Sequence, residues 1–160
     1  MLSVAPALRF VAAISDDTGV AETVTTAGTP NTLGDALFLE IQNDLASAAG
    51  TPGFLWTPAD GTLDIIGPLM AGRYKATFTP ARTIGTNAGV KIFKIAKNSV
   101  AVGFQSRDVS AATAVETSQA PAIAFFNVVA GDEIKVLVDV GTNGHAVTVR
   151  AGVLEVERIK

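Results

Sequence analysis

The sequence predicts an all-β, antiparallel sandwich. Turn signals recur between short segments in which apolar and polar residues alternate, the pattern of strands with one buried face. Fifteen glycines are spread along the chain, yet no Gly-rich run leads from a strand into a helix. Apolar residues make up 48% of the 160 positions and charged residues 17%, enough to bury one core and few to cover a surface. A surface so poor in charge suits a protein partly covered by copies of itself or by a partner.

From the N-terminus, "LRFVAAI" (8 to 14) and "AETVTT" (21 to 26) read as strands. "TLGDALFLEIQNDLASAAGTP" carries two signals. Leu33, Leu37, Ile41 and Leu45 repeat every four residues, Thr32 with Asp35 resembles a capping box, and Gly50 before Pro52 would stop a helix. Leu37, Leu39 and Ile41 also alternate with Phe38, Glu40 and Gln42, which favours a strand over about 36 to 42 followed by a loop or short helical turn. After the Asp60-Gly61 turn come strands "TLDII" (62 to 66) and "RYKATFTP" (73 to 80), the latter with Tyr74, Ala76 and Phe78 on one side. "VKIFKIAK" (90 to 97) and "VAVGFQSR" (100 to 107) flank a tight hairpin connection. A polar loop from Asp108 to Gln119 precedes "AIAFFNVV" (122 to 129), "EIKVLVDV" (133 to 140) and "VTVRAGVLEVERI" (147 to 159), the last two joined by an Asn143-Gly144 turn. The expected organisation is an N-terminal arm over residues 1–10 and one sandwich domain over 11–160.

Net charge is −3 but unevenly placed. Residues 1–72 hold one base, Arg9, and eight acids, a balance of −7, whereas residues 73–160 hold eleven bases and seven acids, a balance of +4. Should the fold keep these parts separate, the two poles would suit head-to-tail packing or docking on a charged protein. The bases are scattered and none is interleaved with aromatics, so nucleic acid is not an expected partner. No stretch reaches membrane-spanning length, and "MLSVAPALRFVAAISDD" lacks the basic start of a signal peptide.

Catalytic chemistry is not expected. The absence of cysteine excludes thiolate metal sites, disulfides and a thiol nucleophile. The single histidine, His145, follows the Asn-Gly turn and reads as an exposed turn residue, and no serine lies in a Gly-x-Ser-x-Gly elbow. Asp16-Asp17 and Asp132-Glu133 are neighbours whose side chains leave a strand on opposite faces, so neither converges as an acid and base pair. Asp60 and Asp64 fall short of the oxygen cage that calcium needs. No cofactor or metal is implied. Aromatics are the stronger lead. Phe125 and Phe126 are adjacent, so one faces the core and the other outward, and Trp56, Tyr74 and Phe104 are further large side chains in strands or at strand ends. On 133–140, Ile134, Val136, Val138 and Val140 share one face, and Leu137 lies among Lys135 and Asp139 on the other. An apolar outward face implies a subunit interface.

The order of "AGRYKATF" (71 to 78), "VKIFKIAKNSVAV" (90 to 102), "FFNVVAGDEIKVLVDVG" (125 to 141) and "AVTVRAGVLEV" (146 to 156) resembles the jelly-roll superfamily of tumour necrosis factor and the complement globular head, over about residues 54 to 159. "DGTLDIIG" (60 to 67) looks like the preceding strand of bacteriophage members, and Ala76 stands where an aromatic is common. The resemblance implies a jelly roll that assembles as a homotrimer, with Tyr74 and one of Phe125 or Phe126 as candidates for the three-fold axis; Phe104 and Leu137 complete the expected interface residues. The Ala-, Thr- and Val-rich composition, with no cysteine and no collagen-like stalk, looks like a virion component. The expected role is therefore a non-enzymatic capsid decoration or cement protein, assembled in the host cytoplasm, with major capsid protein subunits as partners. Leu2, Val4, Leu8 and Phe10 of the arm would contact the capsid. A receptor- or glycan-binding tip of a head or tail fibre is the alternative.

Overall fold

The computed structural model describes residues 8–48, 50–85, 89–110 and 116–159, with backbone alone at 17 and 110. The strands are β1 (Arg9–Val24), β2 (Asn31–Thr32), β3 (Leu39–Asn43), β4 (Gly53–Thr57), β5 (Thr62–Ile66), β6 (Gly72–Gly85), β7 (Gly89–Lys97), β8 (Val100–Ser110), β9 (Ala122–Val128), β10 (Glu133–Val140) and β11 (His145–Arg158). Single 3-10 turns at Pro58–Asp60 and Pro68–Met70 interrupt them. One sheet runs β3-β1-β11-β6-β9 and the other β4-β5-β10-β7-β8, with β2 on β10. The sheets meet at one flank through a single rung, Phe104 opposite Ile123, and at the other through a parallel bridge between Ala46 and Phe54. This is an antiparallel jelly-roll sandwich. β1 and β11 lie side by side, and the Arg158 N–H donates to the Leu8 carbonyl at 2.9 Å, so the described chain enters and leaves at one pole.

The contested segment contains strand β3 and no helix among its described residues. "SDDTG" does not break β1 but forms an irregularity within it: the Asp16 carboxylate accepts from the N–H groups of Thr18 (2.6 Å) and Gly19 (3.3 Å), and pairing with β11 resumes at Val20. "GFLWT" is an additional strand, β4. Its apolar residues do not alternate with polar ones, so period gave no sign of it.

The core is aromatic and continuous. Ring centroids run from Phe93 to Phe78 (5.4 Å), Phe38 (6.4 Å), Trp56 (4.9 Å), Phe10 (5.3 Å), Phe54 (6.5 Å) and Tyr74 (6.2 Å). Two of the rings bring polar atoms inside, and both are satisfied: the Trp56 indole N–H donates to the Phe38 carbonyl at 2.9 Å, and the Tyr74 hydroxyl to the Met70 carbonyl at 2.8 Å. Gly152 leaves room for the Phe78 ring, whose nearest atom lies 3.1 Å from where a Cβ would sit.

Asp132, Asp139, Lys91 and His145 are buried, and the two aspartates hold strand ends together. Asp132 accepts from the Val129 N–H (2.8 Å), the Asn98 amide (2.6 Å) and the Lys97 ammonium (3.1 Å), locking the β7–β8 hairpin to the start of β10. Asp139 accepts from Lys94 (2.7 Å) and the N–H groups of Gly28 (2.9 Å) and Val140 (2.8 Å). Burial alone would raise both carboxyl pKa values, but these hydrogen bonds outweigh it and hold both below the ordinary range. Lys91 is fully buried, its ammonium 3.3 Å from Asp108 Oδ2 and 3.2 Å from Thr83 Oγ1. His145 is buried rather than exposed, because it is the first inward residue of β11, in step with Val147 and Val149. Desolvation foremost, then the Lys91 charge, pushes its pKa down.

Gly103 shapes the β8–β9 flank. Its φ is +74°, and a Cβ there would lie 2.3 Å from the Ile123 carbonyl oxygen. Gly103→Ala should destabilise the fold by roughly 2–4 kcal/mol through left-handed strain and overpacking, read as a lower denaturation midpoint.

Acid should also weaken the fold, in two stages. A depressed His145 pKa means that the unfolded chain takes up a proton first, so this contribution is lost as pH falls below about 6.5. The aspartate contributions are intact above the unfolded carboxylate pKa of roughly 4 and disappear as pH falls through the lower folded values. In thermal melts across pH, His145→Gln should abolish the first stage and leave the second.

Candidate interaction surface

Register sets out the outward face of the first sheet row by row. One row runs Phe104, Ile123, Thr77, Glu155, Val11, Gln42 from flank to flank. Beside it run Phe125, Lys75, Glu157, Arg9 on one side and Thr79, Val153, Ala13, Leu39 on the other. The β8–β9 flank is therefore aromatic and aliphatic, the middle charged, and the β1–β3 flank aliphatic. In the middle, Arg9 pairs with Glu155 beside a hollow of about 160 Å³ lined by Lys75, Thr77 and Glu157. Phe104 is 78% exposed and Phe125 53%, while Leu39 and Ile41 are 55% and 65% exposed. Burying a phenylalanine of this kind is worth roughly 1.5–3 kcal/mol, so this face gains by being covered.

The expected interface residues divide between outside and inside. Phe104 and Phe125 are outside. Phe126 turns inward and packs against the core, which settles which of the two adjacent rings faces out. Tyr74 is a correction: it is fully buried, on the same side of β6 as Ala76 and Phe78, and has no surface to give another subunit. Leu137 is likewise corrected; although outside the main core cluster, it is buried, between Thr32 and Lys94 in register. Phe10, expected on the capsid, lies fully buried in the core. Leu8 packs partly against it, and Leu2 and Val4 lie outside the described residues. Ile123, Leu39 and Ile41 were not singled out for contact. Ile123 becomes significant only through its rung to Phe104, and β3 only as an edge strand, neither of which a lone sequence reveals.

A second concavity, an open groove of about 630 Å³, lies by β5 and β10 and is lined by Glu22, Asp60, Asp64, Glu133 and Lys135 among others. Desolvation raises the pKa of Glu22 and, with help from the Glu133 charge, that of Asp64. Lys135 is engaged with Glu133 at 2.6 Å. Among the described residues no group of three or more His, Cys, Asp or Glu is placed to hold a metal ion. Of the polar loop from Asp108 to Gln119, residues 111–115 lie outside the described residues; beyond them Glu116 bridges Arg82 and Arg150, both at 3.1 Å.

No protein-family model matches the chain, and no curated protein matches it in sequence. Solved structures match it over nearly the whole of both chains. The globular domain of zebrafish complement 1qA protein is 13% identical with a TM-score of 0.57, covering 97% of this chain and 98% of its own. Eiger TNF from S. frugiperda is 11% identical with a TM-score of 0.58, covering 98% and 94%, and murine APRIL is 10% identical with a TM-score of 0.52, covering 94% and 99%. The strand order, the two-sheet sandwich and these similarities agree: the chain has the jelly-roll fold of the tumour necrosis factor and complement globular-head proteins.

Proposed function

We propose that this chain is a non-enzymatic structural protein that acts as a homotrimer and decorates or cements a bacteriophage capsid. The observation that carries the reading is the exposure of Phe104 and Phe125 in adjacent rows of the β8–β9 flank, in a fold that takes seven other aromatics into one core chain. Exposed rings on a rigid sheet are a surface for assembly, because covering them costs little side-chain ordering. A three-fold assembly matches the local symmetry of a capsid, so each copy can meet an equivalent subunit. The virion setting is supported by the Ala-, Thr- and Val-rich composition and by the likeness of "DGTLDIIG" to bacteriophage jelly rolls. The two most exposed aromatics lie on strands rather than on end loops, which favours assembly over sugar stacking.

Because Arg9 starts β1 and Phe10 is core, the arm proposal is confined to residues 1–7. Light scattering should give three chains for the wild type and one for Phe104→Glu/Phe125→Glu; a wild-type monomer at micromolar concentration would refute the trimer. Deleting residues 1–7 should leave the trimer whole and remove the protein from capsids in co-sedimentation. Undiminished capsid occupancy would rule the arm out.

A further inference from the structure

Two neighbouring strands of the first sheet lose their alternation at the same level. On β6, Pro80 and Thr83 face inward, and the two residues between them, Ala81 and Arg82, are both exposed. On β11, Val149 and Gly152 face inward, and Arg150 and Ala151 between them are both partly exposed. Register shifts on either side of the Ala151–Arg82 pair take up these extra residues. Bulges of this kind re-aim side chains, and they recur beside functional sites. Here they turn two arginines outward together. Gly19 of β1 makes room for one of them, since a Cβ there would lie 2.9 Å from Arg150 Cγ.

Both guanidiniums converge on Glu116. Arg82 meets its carboxylate side-on, with Nη2 3.1 Å from Oε1 and Nε 3.4 Å from Oε2, while Arg150 donates to Oε1 through Nη1 alone, at 3.1 Å. These three groups carry one more positive charge than negative. The Arg150 Nε–H is buried and meets no acceptor among the described residues. A buried donor without an acceptor is rare in a native fold and marks a place where an ion or a water belongs. Glu116 is fixed by its backbone rather than by its carboxylate: the next residue, Thr117, exchanges paired backbone hydrogen bonds with Thr83, each 2.9 Å, whereas the Glu116 side chain is 38% exposed. The carboxylate can therefore swing out by rotamer change, with the backbone in place.

We infer that Arg82 and Arg150 form a binding site for a tetrahedral oxyanion of the phosphate or sulfate class, and that the Glu116 carboxylate is its internal, displaceable occupant. A carboxylate has two oxygens and leaves Arg150 held through one nitrogen. A tetrahedral oxyanion has more, enough to meet both planar forks. The site lies further along β6 than Thr77, whose row carries Phe104, and it needs no subunit contact, so its test is separate from that of the trimer.

Calorimetric titration with inorganic phosphate at fixed ionic strength tests it. Glu116 competes with the ligand, and an occupancy of about nine-tenths weakens apparent binding about tenfold. Glu116→Ala should therefore bind phosphate about tenfold more tightly than the wild type, and Glu116→Ala/Arg150→Gln should lose that gain. Glu155→Ala releases Arg9 by the same change of charge and should show no gain, which separates the site from general attraction. Position 116 is exposed, so Glu116→Ala should fold with a thermal midpoint close to that of the wild type; should Arg150→Gln unfold, Arg82→Gln, at an exposed position, takes its place. Phosphate binding no tighter in Glu116→Ala, a gain that persists without either arginine, or an equal gain in Glu155→Ala would overturn the site. Glycerol 3-phosphate competing as well as inorganic phosphate would assign the ligand to a phosphate group on a larger molecule, and failure to compete would assign it to the free ion.

Discussion

The rings from Phe93 through Phe78, Phe38, Trp56, Phe10 and Phe54 to Tyr74 cross and recross the space between the sheets. Phe78, Phe10 and Tyr74 come from the first sheet, Phe93, Trp56 and Phe54 from the second, and Phe38 from the turn before β3. Each ring contact is worth roughly 0.5–1.5 kcal/mol beyond the area it buries. Because the path alternates between sheets, sliding one sheet over the other would break several contacts at once. The alternation of every participating strand follows from this: once Phe78 faces inward, Thr77 and Thr79 must face outward.

That constraint also accounts for the outer face. Of ten aromatic residues, seven are in the chain of rings and Phe126 packs against it, which leaves Phe104 and Phe125. Their direction is imposed from within. Ala124 and Ala122 are the inward residues of β9, so Phe125 and Ile123 point out, and the left-handed turn at Gly103 brings β8 close enough for Phe104 to stand beside Ile123. The apolar flank is thus a by-product of core register, available for assembly without any loop having to order.

Much of this was legible in the sequence. Strands 62–66 and 133–140 were bounded correctly by turn chemistry and alternation, and most of the others lay within a few residues of their true ends. What escaped was whatever depends on a neighbour. β1 continues through "SDDTG" because Asp16 caps the irregularity and β11 resumes pairing beyond it; His145 is buried because of the face it starts on, not the turn it follows. Alternation grouped Tyr74 with Ala76 and Phe78 correctly, but it cannot say which side of a strand is the core. The charge split was plain in the sequence; that Lys94 and Lys97 are engaged by Asp139 and Asp132 required the pairing of β7 with β10.

The hydrogen bond from Arg158 to Leu8 carries a consequence for engineering. With its first and last described strands antiparallel neighbours, the domain can be closed by a short polar linker and reopened in a connection at the far pole, such as the turn at Asn143-Gly144 that passes from one sheet to the other, without crossing the core. Circular permutants of this kind would reverse which pole carries a fused cargo while leaving both flanks untouched.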